Sequence, residues 1–414
     1  MSNPSNAPGP TVAIIGAGPA GLIAAERLAA AGVAVTVYDR MPSAGRKLLM
    51  AGRGGLNLTH SEPIEPFLGR YGPAADTLRP IVEAFPPASL VAWAEGLGEA
   101  TFVGSSGRIF PKSLKASPLL RALFGRLTTL GVTFAMRHEF RGWTEDGALR
   151  FARSDGEVTA RPDAVLLALG GASWPRLGSN GAWTEILAAR GVPVAPLKPA
   201  NVGFRVAWSE SFRTRFAGEP LKAVAISFAG QTVRGEAMVT AYGIEGGAIY
   251  ALSSALRDAI ERDGGATIRV DLRPAMNEVQ IAERIARQNP SQSLANRLRK
   301  ALHLAPVAIN LLREAAGEQL PRDAEALAAR IKAVPVRLDA TAGIERAISS
   351  AGGIPFAALD AQLMIRALPG VFAAGEMIDW EAPTGGYLLQ GAFATGVMAA
   401  AGIANHLGIA SQAG

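Results

Sequence analysis

Residues 11–40, TVAIIGAGPAGLIAAERLAAAGVAVTVYDR, constrain this chain more than any other stretch. A β-branched run from Thr11 to Ile15 leads into Gly16, Gly18 and Gly21 in GxGxxG spacing. Ala20 to Ala31 then has helical periodicity and stops at Gly32, a residue suited to the left-handed turn that ends a helix. Val33 to Tyr38 reads as a second strand, closed by Asp39. Each residue type has a task in a βαβ unit that holds a dinucleotide. Gly16 permits the tight turn, Gly18 lets backbone approach a pyrophosphate, and Gly21 lets the helix lie on the strand. Pro19 and Ala20 open the helix, whose free N–H groups face the phosphates. Asp39 is placed for a ribose diol, with Arg40 beside it. Strand, turn, helix, second strand and acid all agree, so a dinucleotide site is expected; this unit alone fits NAD and FAD alike.

Two later segments narrow the choice. Residues 45–60, GRKLLMAGRGGLNLTH, insert a glycine-rich loop with Arg46, Lys47 and Arg53 where a simple crossover would be expected for an NAD site. Its backbone can curl round a longer dinucleotide, with Gly54 and Asn57 near the second ring. Near the C-terminus, Val371 to Ala374 reads as a buried strand ending at Gly375-Glu376, followed by Asp379. Pro383 to Gly386 then lead into a helix from about Tyr387 to His406. Glu376 or Asp379 can bind ribityl hydroxyls, and the helix start at Gly385-Gly386 can face the ring edge where negative charge develops on reduction. Gln390, one turn in, is expected near the ring. A third buried strand, Ala164 to Ala168, ends at Gly170-Gly171 and brings its end to the same crevice. Front and back together make FAD the expected cofactor.

Composition excludes other redox chemistry. The chain has no Cys, which rules out disulfides, thiolate metal sites and a redox-active cysteine pair. Its four His have no close spacing, so no metal centre is expected. No apolar run of membrane-spanning length stands out, and MSNPSNAPGP reads as a flexible tail over 1–10 without the features of a signal peptide. A cytoplasmic protein that spans no membrane is therefore expected. The net charge of +6 fits a solvated, Arg-rich surface. RNA stays open as a partner because Arg284, Arg287, Arg297, Arg299 and Lys300 fall within one acid-free stretch.

Several segments in this order resemble the HI0933-like flavoproteins, also called aminoacetone oxidase-like or BaiN-like, within the larger glutathione-reductase-type FAD class. They are IIGAGPAGL, GRKLLMAGRGGLNLTH, GRIFPKSLKA, LALGGASWPRLGSNGAW, GEAMVTAYGIEGGAI, SAGGI and GVFAAGEMID followed by TGGYLLQGAFATG. The resemblance implies FAD at Gly16, Gly18, Gly21, Asp39, Arg46, Lys47 and Gly375-Glu376, with Gly385, Gly386 and Gln390 under the ring. It implies an α/β fold, a Rossmann-like FAD-binding domain interrupted by a β-rich domain that carries a small helical domain. The expected boundaries are 11–194 and 346–414 for FAD binding, 195–275 and 333–345 for the β-rich insert, and 276–332 for the helices. The chain departs from the family pattern at Leu56, where a Cys is usual, and at Ala241 and Gly247, where a His and a Pro are usual. An Arg of that pattern is displaced to Arg53.

The expected chemistry is hydride transfer at a flavin, for which the protein must polarise the substrate and manage a proton. Arg108 can hold a carbonyl oxygen or oxyanion, His60 can donate a proton, and Tyr242 is a third candidate; Lys112, Tyr387 and Asn57 are expected to face the same volume. No second GxGxxG follows a strand, so NAD(P)H is expected at most as a transient donor. Three functions remain open: a small-molecule oxidoreductase acting by C=C reduction or amine oxidation, a flavoenzyme that reduces an RNA base such as uridine, and a flavin-binding sensor without turnover.

Overall fold

The computed structural model describes residues 9–52, 54–317 and 320–409. They divide into two compact units, one built from the chain up to Lys198 and from Ser349 onward, the other from Pro199–Ile348.

In the first unit, β1 (Thr11–Ile15), α1 (Pro19–Ala30) and β2 (Ala34–Asp39) form the expected βαβ unit. Its parallel sheet has five strands in the order Val371–Ala373, Ala164–Leu167, β1, β2 and Thr133–Met136. The register aligns Ile15 with both Tyr38 and Leu167, and Leu167 with Ala373, so four strands end at one level. Ala164–Leu167 and Val371–Ala373 are buried throughout, as a parallel sheet covered on both faces requires. Ligands of such sheets bind beyond the carboxyl ends of the strands.

The helix Tyr387–His406 covers α1, and small residues set how closely. A Cβ on Gly396 would lie 2.4 Å from the Ala20 carbonyl oxygen. By length and composition this helix is apolar enough to cross a bilayer, contrary to the expectation that no segment qualifies. Here 61% of its apolar window is buried in the protein, which is the position of a core helix.

Three short strands make a further antiparallel sheet that sequence reading did not anticipate. They are β3 (Thr59–His60), β4 (Thr101–Val103) and β5 (Arg108–Pro111), in the order β3-β5-β4. An antiparallel meander, Glu139–Trp143, Leu149–Arg153 and Gly156–Ala160, lies elsewhere in the unit.

The second unit holds a seven-stranded antiparallel sheet with its own apolar core, in which Phe204, Ile226, Val239, Ile268 and Leu338 are buried. Four helices, Glu278–Ala286, Leu294–Leu302, Pro306–Ala316 and Ala324–Lys332, belong to the same unit. The first begins with a capping box in which the Asn277 side chain and Gln280 satisfy each other's backbone N–H groups.

Candidate functional site

At the strand ends, the glycines of the first turn meet different surroundings. Gly16 has φ +112°, and a Cβ there would lie 2.2 Å from the Ala168 carbonyl oxygen. A Cβ on Gly21 would lie 2.0 Å from the Gly16 oxygen, so Gly21 is required for the helix to sit on its strand. Gly18 differs: it is extended, and a Cβ there would meet nothing within 4 Å. The turn is thus open in front of Gly18, and no side chain caps the N-terminus of α1. Backbone N–H groups of Ala20 and its neighbours are left for an anion.

Asp39 closes β2 and accepts N–H bonds from Ala17 (2.9 Å) and Met41 (2.8 Å). Burial raises its pKa, against the lowering effect of those N–H groups and of Arg40 and Arg46. Arg40 itself lies 3.6 Å from Glu139, and Arg46 lies at the start of α2 (Arg46–Ala51) with Ser43 Oγ at 3.5 Å. Arg53 lies outside the described residues.

Glu376 joins segments far apart in sequence. Its Oε2 accepts from Lys47 Nζ at 2.6 Å and from the Gly171 N–H at 3.4 Å, while Oε1 accepts from the Ser350 N–H at 2.8 Å. Lys47 also donates to Ser173 Oγ at 2.9 Å, and Ser350 Oγ accepts from the Ala172 and Ser173 N–H groups. Sequence reading named Lys47 and Glu376 as separate contacts and missed Ser173 and Ser350, for which GGASW and SAGGI were the only signals. Gly170 lies here too: a Cβ on it would sit 3.7 Å from Glu376 Oε2. Gly375 is in the left-handed region at φ +80°, its N–H bonded to Thr395 Oγ1. Burial, and then the charge of Glu381, raise the pKa of Asp379 against one backbone hydrogen bond from Gly352.

The start of the helix Tyr387–His406 meets β3 and β5. A Cβ on Gly386 would lie 2.5 Å from Thr59 Cα, and one on Gly385 would lie 3.6 Å from Arg108 Nε. Arg108 is half-buried, and its side chain has no hydrogen-bond or ion-pair partner among the described residues. A half-buried guanidinium without a protein partner leaves its N–H groups to water or to a ligand oxygen. Asn57 Oδ1 is likewise buried and unpaired. Gly54, in the left-handed region at φ +84°, is exposed in the same loop. Lys112 is exposed, again without a carboxylate partner among the described residues.

Three candidates are held by protein partners. Gln390 is fully buried: its Oε1 accepts from Thr59 Oγ1 (2.9 Å) and its Nε2 donates to the Phe85 carbonyl (2.6 Å). Both ends of the amide are committed, so Gln390 positions β3 against the helix rather than offering a free group to a ring. His60 accepts the Glu62 N–H at Nδ1 (3.1 Å), which leaves the proton on Nε2, directed at the Ser106 carbonyl (3.0 Å). Its ring stacks on Tyr387 at 5.4 Å, and neither nitrogen is free to act as the expected proton donor. Tyr242 belongs to the second unit, where its hydroxyl donates to Glu245 at 2.5 Å and Arg346 lies over its ring. Burial, then the Glu245 carboxylate, raise its pKa and keep it protonated.

A network that sequence reading missed surrounds Tyr387. Its hydroxyl donates to Glu62 Oε1 at 2.6 Å, and Arg70 grips both Glu62 oxygens at 3.1 and 2.8 Å. Burial opposes ionisation of Glu62, but the hydrogen bonds from Arg70 and Tyr387 outweigh it and hold its pKa down. Burial and this carboxylate push the Tyr387 pKa up. Beside the network lies an open groove of about 610 Å³, lined in part by His60, Glu62, Ile64, Pro86, Val91 and Ile109. Among the described residues no cluster of His, Asp and Glu is arranged to hold a metal ion.

Comparison with known proteins agrees with this architecture. The chain is similar to the 3-dehydro-bile acid delta(4,6)-reductase of Clostridium scindens, 27% identical over 94% of this chain and 97% of that protein. It is also 27% identical to the ribosomal RNA dihydrouridine synthase of Escherichia coli, over 92% of this chain and 95% of that protein. Among solved structures, the 3-ketosteroid delta1-dehydrogenase of Sterolibacterium denitrificans matches with a TM-score of 0.52 at 13% identity, covering 95% of this chain and 99% of that one. A flavocytochrome c3 fumarate reductase matches at 0.51 and 16% identity, covering 97% of this chain and 79% of that one; these two likenesses concern the fold alone. The profile of the HI0933-like protein Rossmann domain matches residues 10–402, and the chain belongs to that family.

Proposed function

We propose that the protein is an FAD-dependent oxidoreductase that reduces a carbon–carbon double bond conjugated to a carbonyl group of a small molecule. The donor set fits FAD: the open turn at Gly18 and the uncapped start of α1 for the pyrophosphate, Asp39 for the ribose diol, Glu376 with Lys47 for the ribityl chain, and Asn57 Oδ1 as an acceptor awaiting a donor. Bound FAD supplies a hydride to one carbon of the double bond.

The observation that carries the choice of reaction is Arg108, a half-buried guanidinium without a partner among the described residues, placed against Gly385. A cation there stabilises the negative charge that develops on a carbonyl oxygen as the β-carbon accepts hydride. The proton reaching the α-carbon comes from water, since both nitrogens of His60 are committed. In balance, NAD(P)H and one proton saturate the C=C bond and leave NAD(P)⁺, with the nicotinamide as a transient donor. The names of both relatives support the reading: a delta(4,6)-reductase of a 3-dehydro compound and a dihydrouridine synthase each saturate a double bond conjugated to a carbonyl.

A second reading, reduction of an RNA base, is favoured by exposed Arg284, Arg299 and Lys300 on two helices of the second unit and by Arg287 at the end of the first, beside Glu283 at 3.6 Å. One experiment separates the readings, including that of a flavin-binding protein without turnover. The FAD-loaded protein is reduced anaerobically with NADH or NADPH and then mixed with an enone or with cellular RNA. Reoxidation by the enone, with about stoichiometric saturated ketone, is the expected result. Reoxidation by RNA alone would favour the base-modifying enzyme, and a flavin that neither nicotinamide nor acceptor changes would leave a binding protein.

A further inference from the structure

Register places four side chains on one face of the sheet β3-β5-β4. In antiparallel pairs, directly opposite residues share a face. His60 lies opposite Arg108, and Phe102 lies opposite Phe110. Along β5 the alternation is complete: Ile109 and Pro111 are buried, while Arg108 and Phe110 occupy the other face.

That face is apolar at one end and cationic at the other. Phe102 stacks on Phe110 with ring centroids 5.6 Å apart and 23° between planes, yet remains 39% exposed. Leu114 adjoins them: a Cβ on Gly55 would lie 3.4 Å from the Phe110 ring and 3.9 Å from Leu114 Cδ2. Leu114 is 46% exposed and holds the left-handed conformation at φ 57°, which a bulky side chain rarely adopts. Hydrogen bonds from Leu114 N–H to the Pro111 carbonyl and from Leu56 N–H to the Leu114 carbonyl fix it there. The fold thus holds an apolar side chain out toward water in a strained conformation, beside an exposed aromatic pair. At the other end Arg108 meets Gly385, and Lys112 and Lys115 flank the strip without carboxylate partners among the described residues.

We infer that Phe102, Phe110 and Leu114 form the specificity surface of the reductase and hold the hydrocarbon body of an enone whose carbonyl oxygen is bound by Arg108. The inference rests on the C=C-reductase reading and adds a substrate class to it: an α,β-unsaturated ketone carried on an extended apolar skeleton. An exposed aromatic pair beside cations also suits the stacking of a nucleobase. The strip is assigned to an enone because its apolar side chains run toward the unpaired guanidinium of Arg108, which matches a hydrocarbon body carrying a single carbonyl oxygen, and binding of RNA is an outcome of the test.

The test compares the FAD-loaded wild type with the double variant Phe102→Ser, Leu114→Ser, both changes being at exposed positions. The probes are 2-cyclohexenone and 4-androstene-3,17-dione, followed by perturbation of the flavin absorbance and by kcat and KM with NAD(P)H. In the variant, affinity for the polycyclic enone should fall about tenfold or more, the order expected when an aromatic and an aliphatic contact are lost. FAD content should stay at the wild-type value, and kcat/KM should fall more for the polycyclic enone than for cyclohexenone. Equal affinity of wild type and variant for the polycyclic enone would overturn the inference. So would a change in oligomeric state without a change in enone affinity, which would make the face a contact between copies. A wild type that binds FAD and is reoxidised by cellular RNA but by neither enone would remove the small-molecule reading itself, and this surface role with it.

Discussion

At the scale of single residues, Gly18 and Gly21 separate folding from binding. An Ala at 21 would place its Cβ 2.0 Å from the Gly16 oxygen, so Gly21→Ala should cost about 3 kcal/mol or more, or prevent folding. An Ala at 18 meets nothing within 4 Å and keeps an extended backbone that any residue adopts. Gly18→Ala should therefore change stability by about 1 kcal/mol, as an N-cap replacement does, while FAD affinity falls about tenfold or more. Urea denaturation and FAD titration of the two variants read the two effects separately. Glu62 makes a pH prediction. Its folded pKa lies below its ordinary 4.5, so the stability it contributes is present above that value and is lost as pH falls through the folded one. Glu62→Gln should flatten that part of the acid limb, seen as urea midpoints that vary less between neutral pH and about pH 3.

How far the site could be read from sequence differs from residue to residue. Gly16, Gly21 and Asp39 are legible because their tasks are local: a turn, a helix laid on its strand, a strand end. Lys47 and Glu376 were each marked by residue type, but 329 positions separate them and no local rule predicts their ion pair. The partners of His60 and Gln390 are not legible in sequence, because backbone groups from remote loops, Ser106 and Phe85, take up their polar atoms. A side chain's chemistry is visible in sequence; its occupancy by neighbours is not.

Among elements, the long ones were legible and the short ones were not. β1, α1 and the helix Tyr387–His406 show their periodicity plainly. β3, β4 and β5 have two to four residues each, too few for an alternating pattern, and they associate only through one another. The contact between α1 and the C-terminal helix makes a sharp prediction. Gly396→Val would drive a branched side chain into the Ala20 backbone, 2.4 Å from the Cβ position, in a helix pair with no room to part. It should destabilise the protein by about 3 kcal/mol or more, read as a fall in the urea midpoint, and weaken FAD binding if the turn before α1 holds the phosphates as proposed.

On the scale of the molecule, each unit has its own apolar core. The second is one continuous piece of chain, and the Ile348 N–H donates to the Asn201 carbonyl at 3.2 Å, so its two ends lie side by side. Expressed alone, Pro199–Ile348 should fold with a single cooperative urea transition followed by circular dichroism. An unfolded or multiphasic fragment would show that its core needs the rest of the chain.

The first unit has no such independence, and this bears on its synthesis. Its sheet lacks an edge strand until Val371–Ala373 leaves the ribosome, and Glu376 comes 329 residues after Lys47. At ordinary elongation rates that interval is on the order of tens of seconds. Lys47 lacks its carboxylate for the whole of it, the hydrophobic edge at Ala164–Leu167 lacks its outer neighbour from its own synthesis onward, and Pro199–Ile348 completes its sequence before either partner arrives. The nascent chain thus carries an open sheet edge while the whole of the second unit is made, and the proposed cofactor site gains Glu376 only as synthesis nears its end.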